Sequence, residues 1–146
     1  MSALHVLFRV AECDYVLPAS DVLYMESFTG ATKVPGTLSY VAGVVQIRSR
    51  VVPLVDVRAR FGLPPIQASL DSRVVVVQHG ERAIGILVDS AREVVRIAAD
   101  QFRPPPELVS EQAAGFVSAV AQTGARLLML LDFGKVIGEE VLHGDD

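Results

Sequence analysis

The feature that most limits how this chain can fold is a series of short runs that are apolar at consecutive positions. Residues 74–77 are four valines, and residues 41–47, 51–55 and 84–88 are nearly as apolar. β-Branched residues favour strands, and a strand that is apolar on both faces has to be covered on both sides. The runs therefore predict an all-β fold made of two packed β-units.

Short polar or glycine-containing segments between the runs predict hairpin connections. They lie at residues 11–14, 48–50, 78–81 and 122–125. Gly80 in the third segment can adopt the positive φ that tight hairpin turns require. Strands at this close spacing are typical of a barrel or a sandwich, and we predict them at residues 4–10, 15–17, 41–47, 51–55, 74–77, 84–88, 93–97, 116–121 and 127–131.

Helix is predicted in two places. Residues 20–26 are expected to form a turn or two. The stretch after Asp132 is the stronger candidate, because it places apolar side chains on one helical face and Asp132 can cap it. These side chains are Phe133, Val136, Ile137 and Val141.

The length of 146 residues corresponds to one domain. Pro64 and Pro65 lie in a segment that suits a connection between units better than a central strand. We therefore expect one domain over residues 1–146, in which two intertwined β-barrel subdomains divide near residues 61–70.

Composition points to a cytoplasmic protein with a real core. Hydrophobic residues make up 51% of the chain, charged residues 21%, and the formal net charge is −4 without a basic stripe. This balance argues against nucleic-acid and anionic-membrane partners. No apolar run reaches the roughly 20 residues of a membrane span, and no signal peptide is expected. Cys13 is the only cysteine, which fits a reducing compartment.

Three aspartates, Asp56, Asp89 and Asp132, each follow the end of an apolar run. Such carboxylates can hold Mg²⁺ or act as acid and base, but Asp also closes strands by accepting hydrogen bonds from turn amides. Asp132-Phe133-Gly134 spells a kinase motif, yet no other kinase element accompanies it.

No other catalytic or metal-binding pattern is present. His5, His79 and His143 do not have metal-ligand spacing, and Cys13 has no His or Lys neighbour that would activate it. We expect no cofactor and no enzymatic activity, and we interpret the chain as a binding module, with a small β-barrel enzyme using the three aspartates as the alternative.

The stretch from residue 33 to 60 resembles the signature of the CheW family of chemotaxis coupling proteins. The resemblance continues, in order and at family spacing, over nearly the whole chain. The matching segments are Val34-Pro35-Gly36, Tyr40, Gly43-Val44, residues 46–49, residues 51–58, residues 84–90, residues 93–95, residues 101–106 and residues 126–137.

This resemblance implies two small five-stranded SH3-like β-barrels packed around a shared apolar core, with a short C-terminal helix. It also implies a non-catalytic adaptor that couples the cytoplasmic tip of methyl-accepting chemoreceptors to the regulatory domain of the histidine kinase CheA. Carried over by position, receptor contacts fall on Val22, Tyr24, Arg48 and Val74, and kinase contacts fall on Val34, Tyr40 and Gly43.

Three residues depart from the family pattern. Gln46 and Ser49 replace the usual Asn and Gly of the hairpin, and Tyr24 lies where many members have Glu. Ser49 predicts either a different turn geometry or strain. For Arg48, contact with the receptor and a salt bridge within the protein that braces the two barrels both stay open. The departures favour a divergent member, with a CheW-like scaffold of a non-chemotaxis pathway as the alternative.

Overall fold

The computed structural model describes residues 2–107 and 115–143, apart from the side chains of residues 92 and 139–143. Eleven strands lie in these two ranges: β1 Ser2–Val10, β2 Cys13–Pro18, β3 Val22–Ser27, β4 Val41–Ile47, β5 Arg50–Asp56, β6 Arg73–His79, β7 Arg82–Val88, β8 Ser90–Ala98, β9 Phe102–Arg103, β10 Val117–Thr123 and β11 Arg126–Leu131. The α-helical segments are α1 Val57–Arg60 and α2 Phe133–His143, and single 3₁₀ turns occupy Ala19–Asp21 and Ala99–Gln101.

The strands form two sheets, which confirms the predicted all-β fold with two units. One sheet has six strands in the order β8-β1-β2-β11-β10-β9, and the other has five in the order β3-β6-β7-β5-β4. Among the eleven described strands, only the pairs β11–β2 and β5–β7 are parallel. The six-stranded sheet exceeds the predicted five strands by β9, which contributes two residues.

Each sheet curls so that its two ends approach one another. In the five-stranded sheet, Thr32 follows the edge strand β3 and bridges Val44 on the opposite edge strand β4, with two N···O distances of 2.9 Å. In the six-stranded sheet, β9 follows the edge strand β8 through a 3₁₀ turn and pairs with β10. This curvature gives each sheet an inner and an outer face.

The valine run at residues 74–77 is covered on both faces, as predicted. Val75 and Val77 belong to a buried cluster that also contains Phe8 from the six-stranded sheet and Ile137 from α2. Val74 and Val76 belong to a second cluster inside the five-stranded sheet. The two sheets therefore share one apolar core, and each has a further core of its own.

The helix predicted for residues 20–26 is wrong. Only Ala19–Asp21 forms a 3₁₀ turn, and Val22–Ser27 is strand β3, paired with β6. Its side chains alternate between half-buried and exposed, so the strand has period two. Apolar Leu23 and Met25 on the exposed side hide that period in the sequence.

The C-terminal helix is confirmed where its side chains are described. Phe133, Val136 and Ile137 are buried, and the Asp132 carboxylate accepts a hydrogen bond from the Lys135 amide at 3.2 Å. Gly138, with φ of 71° and ψ of 160°, interrupts the helix. The Val141 side chain lies outside the described part of the chain.

The predicted division near residues 61–70 does not separate the two sheets. The connection there joins α1 to β6, and both β5 before it and β6 after it belong to the five-stranded sheet. The chain passes between sheets elsewhere, from β2 to β3 and from β7 to β8. Prolines marked a connection correctly, but not one between the sheets.

The segment divides two repeats of the chain instead. Residues 40–62 align with residues 116–138, each residue with the one 76 positions later, and the identical pairs are Val41/Val117, Val44/Val120, Gln46/Gln122, Arg50/Arg126, Leu54/Leu130, Asp56/Asp132 and Gly62/Gly138. The β1–β2 hairpin of the first repeat lies between β8 and β11 of the second repeat, and the β6–β7 hairpin of the second repeat lies between β3 and β5 of the first. Each repeat thus contributes one hairpin to the sheet of the other. The two sheets are therefore interlocked.

Candidate functional site

The three strand-end aspartates have separate structural partners. Asp56 accepts hydrogen bonds from the amides of Ala59, at 3.2 Å, and Ile66, at 2.9 Å, and so caps α1 and fixes the loop after it. Asp132 caps α2 in the equivalent position. Both arrangements match the turn-and-cap interpretation of these residues.

Asp89 joins the two sheets. It forms a bidentate ion pair with Arg58, at 2.8 and 3.0 Å, and accepts a hydrogen bond from the Ala11 amide of the β1–β2 turn at 2.8 Å. The hydrogen bonds that Arg58 donates to Asp89 raise the pKa of its guanidinium above its ordinary value.

In the described part of the chain, Asp56 and Asp89 line two different cavities. Asp56 lines one of about 430 Å³ and Asp89 another of about 300 Å³, and Asp132 lines neither. Among the residues that the structure describes, no cluster of three His, Cys, Asp or Glu side chains could hold a metal ion. The geometry therefore offers no support for the alternative of an enzyme built on these aspartates.

The residues predicted to contact a receptor divide into surface and core. Tyr24 is half-buried on β3, and the Arg48 Cζ atom lies over its ring, 4.3 Å from the centroid. Arg48 Nε also donates to Glu26 at 3.3 Å. Val22 is half-buried and packs on the shared core, whereas Val74 is 1% exposed. Val74 therefore supports this surface from beneath instead of presenting its side chain to a partner.

The β4–β5 turn keeps a glycine-like geometry without glycine. Arg48 and Ser49 have φ of 50° and 68°, a region that costs about 1–2 kcal/mol for a residue with a Cβ atom. The sequence predicted either a different turn geometry or backbone strain at Ser49. The structure has the strain, in an otherwise regular hairpin. Both residues are exposed, so the strained tip projects into solvent.

The residues predicted to contact the kinase also differ in exposure. Val34 is 41% exposed and lines, with Leu38, the cavity of about 430 Å³ that Asp56 also lines. Gly43 is buried with φ of 137°, and a Cβ atom there would lie 2.2 Å from the Thr32 carbonyl oxygen. A side chain at Gly43 would thus break the Thr32–Val44 bridge before it reached any partner.

Tyr40 is buried in a contact that sequence reasoning missed. The Arg60 guanidinium lies between the rings of Tyr40 and Phe116, 4.2 and 4.9 Å from their centroids. Arg60 also donates to the carbonyl oxygens of Val136, at 2.7 Å, and Lys135, at 3.0 Å. Tyr40 and Phe116 occupy equivalent positions in the two repeats, and that equivalence is the signal that could have identified the contact.

Two exposed apolar side chains beside the predicted receptor contacts were also missed. Leu23 and Met25 are 37% and 43% exposed on the outer side of the edge strand β3. The period-two alternation of β3 would have revealed them had residues 20–26 been assigned to a strand.

Among the described residues, no helix combines the length and apolar character that a membrane crossing requires.

Comparison with known proteins gives a consistent result. The CheW-like domain family profile matches residues 4–141. The chain is 27% identical over 135 residues to the chemotaxis protein CheW of Klebsiella aerogenes, covering 92% of this chain and 81% of that protein. It is 29% identical over 133 residues to the chemotaxis protein CheW of Helicobacter pylori, covering 91% and 80%.

A solved structure shows the same fold. The scaffolding protein TtCheW from Thermoanaerobacter tengcongensis superimposes with a TM-score of 0.86 at 28% sequence identity, over 97% of this chain and 96% of that one. The match includes both interlocked sheets, because it spans nearly all of the chain. On the strength of the profile, the relatives and the fold, this chain belongs to the CheW-like domain family.

Proposed function

We propose that this protein is a non-catalytic adaptor that couples chemoreceptors to the histidine kinase CheA in the cytoplasm. The observation that carries the proposal is the CheW-like domain match over residues 4–141, with relatives named chemotaxis protein CheW over about nine-tenths of the chain. The separate structural roles of Asp56, Asp89 and Asp132 support a protein that binds without turnover.

The two partners are assigned to different surfaces of the five-stranded sheet. The receptor tip is placed on β3 and the β4–β5 hairpin tip, where Tyr24 and Arg48 lie beside exposed Leu23 and Met25. The kinase regulatory domain is placed on the rim formed by Val34 and Leu38 around their cavity. Apolar side chains supply contact area at such interfaces, and Arg is enriched in them.

The kinase contact is tested by calorimetric titration of the protein against the regulatory domain of the CheA kinase encoded with it. We expect binding in the micromolar range or tighter, and a loss of at least about tenfold in Val34→Glu because a carboxylate is desolvated at the rim. Val94→Glu is the matched control, since Val94 is 50% exposed on the six-stranded sheet.

A folded wild-type protein that does not bind the kinase domain would contradict the adaptor function. Equal losses of kinase affinity in Val34→Glu and Val94→Glu would contradict the placement of the kinase contact at Val34, but not the adaptor function. Gly43 is unsuitable for this test because its substitution disrupts the Thr32 bridge.

The second candidate function is a CheW-like scaffold of a non-chemotaxis signalling pathway. The observation that favours it is the departure of Tyr24, Gln46 and Ser49 from the family pattern at the predicted receptor surface. Such a scaffold would bind a kinase regulatory domain and leave chemoreceptor tips unbound, so parallel titrations against the two partners separate the two functions.

A further inference from the structure

The β4–β5 hairpin tip carries an exposed arginine whose planar group is held on two sides. Arg48 Cζ lies 4.3 Å from the Tyr24 ring centroid, and Nε donates to Glu26 at 3.3 Å. The side chain nevertheless stays 63% exposed. A surface arginine normally samples many rotamers, and ordering it on binding costs free energy. Here the ring and the carboxylate set its direction in advance.

The Arg48 guanidinium has further N–H groups that can donate hydrogen bonds to an acceptor on another molecule. Arginine has five N–H donors, and among the described residues only Nε of Arg48 meets an acceptor. The two Nη groups form an edge that matches a carboxylate through two parallel hydrogen bonds. Arg50, exposed on the same hairpin, adds positive charge. The hairpin tip is therefore suited to an acidic partner, although this protein as a whole has a net charge of −4.

We infer that Arg48 binds a carboxylate of the chemoreceptor tip and that Tyr24 is the positioning residue that aims it. The inference rests on the proposed adaptor function and adds the chemistry of one contact. Tyr24 acts through Arg48, because a cation–π contact uses the face of the ring and does not need the hydroxyl group. Phenylalanine at position 24 keeps the aromatic ring that orients the Arg48 guanidinium, whereas leucine removes that ring.

The test is titration of the full-length protein against a soluble fragment of the chemoreceptor tip. We expect Tyr24→Phe to bind like the wild type, and Tyr24→Leu and Arg48→Met each to bind about tenfold more weakly. The double variant is expected to bind no more weakly than Arg48→Met, because Tyr24 has no effect once Arg48 is gone. Arg50→Met, which removes the same charge from the same hairpin, is expected to lose less than about threefold.

Wild-type affinity in Tyr24→Leu, additive losses in the double variant, or an equal loss in Arg50→Met would each overturn the inference. The adaptor function stands in all three cases, since the wild type binds the receptor fragment. A wild type that binds the kinase domain but no receptor fragment overturns the receptor half of the adaptor function and the inference with it. Thermal unfolding of each variant establishes that it is folded.

A measurement on the free protein tests the positioning without any partner. A proton above an aromatic face resonates upfield, so the side-chain NMR signals of Arg48 are expected upfield of those of Arg50. We expect the shift to persist in Tyr24→Phe and to vanish in Tyr24→Leu. Ordinary Arg48 shifts in the wild type would overturn the positioning role, whatever the receptor titration gives.

Discussion

Single residues at positive φ hold the β4–β5 turn in a conformation that glycine would adopt without strain. Ser49 has φ of 68° and an exposed side chain. We expect Ser49→Gly to raise the free energy of unfolding by about 0.5 kcal/mol, because relief of left-handed strain outweighs the extra chain entropy of glycine. Chemical denaturation measures the change.

Ser27→Gly is the matched control for this prediction. Ser27 is also exposed but ends strand β3, and its φ is not positive, so glycine there is expected to destabilise by about 0.5–1 kcal/mol. Destabilisation by Ser49→Gly as well would contradict the assignment of strain to the turn.

Tyr15 gives the protein a defined sensitivity to alkaline pH. Burial, with a smaller contribution from the nearby Cys13 charge, raises the pKa of Tyr15 from 10.0 to about 12. The unfolded chain loses this proton near pH 10 and the folded protein only near pH 12, so stability is intact below pH 10 and falls between these values. Two pKa units correspond to a loss of about 3 kcal/mol.

The check is a comparison of denaturation midpoints at pH 9 and pH 11.5 for the wild type and Tyr15→Phe. We expect the wild type to lose more stability over this interval than the variant, because phenylalanine has no proton to release. Equal losses in the two proteins would show that other groups cause the alkaline effect.

At the scale of elements, Arg60 attaches the C-terminal helix to the rest of the molecule. It links Tyr40 and Phe116 of the two repeats and bonds two carbonyl oxygens of α2. We expect Arg60→Met to lower the free energy of unfolding by about 1–3 kcal/mol through loss of these hydrogen bonds and cation–π contacts.

Arg103→Met serves as the control for Arg60, because Arg103 is exposed and, among the described residues, its side chain donates one long hydrogen bond, of 3.4 Å, to the Asp100 carbonyl oxygen. Its stability is expected to change by less than about 0.5 kcal/mol. If Arg60→Met and Arg103→Met unfold at the same denaturant concentration, the attachment by Arg60 is wrong.

Elements with a clear local pattern were predictable, and those that depend on curvature were not. The hairpins at Gly80 and Gly124 follow from glycine between apolar runs, and the structure has turns at both. Strand β3 was not predicted because its exposed face is also apolar. The Tyr24–Arg48 contact joins residues on opposite edges of a sheet, and local periodicity does not report which edges a curled sheet brings together.

At the scale of the whole molecule, the exchange of hairpins between repeats makes the halves interdependent. Leu70 is 96% exposed in the connection between the repeats. We expect a protease site inserted after Leu70 to be cleaved while both fragments stay associated, because each sheet contains strands of both fragments. Size-exclusion chromatography is expected to give one peak at the mass of the intact protein until denaturant is added.

Separation of the fragments in native buffer would contradict the interlocked arrangement. The sequence prediction noted that apolar runs end in Asp56, Asp89 and Asp132, but did not recognise the longer alignment of residues 40–62 with residues 116–138. The exchange of hairpins has no local signal, since β1–β2 have the same pattern whichever sheet they join. The division near residues 61–70 was predicted for two β-barrel subdomains, and the chain passes between the two sheets at other places.

The parallel pairing of β2 with β11 has a consequence for the order in which the chain can fold during synthesis. Asp14 lies opposite Leu128, so the six-stranded sheet closes only after nearly the whole chain has left the ribosome. Until then the β1–β2 hairpin exposes the apolar faces of Phe8 and Leu17, and late, long-range closure is slow and open to aggregation. The five-stranded sheet, complete by residue 88, is the part of the nascent chain able to form first and to shelter that hairpin.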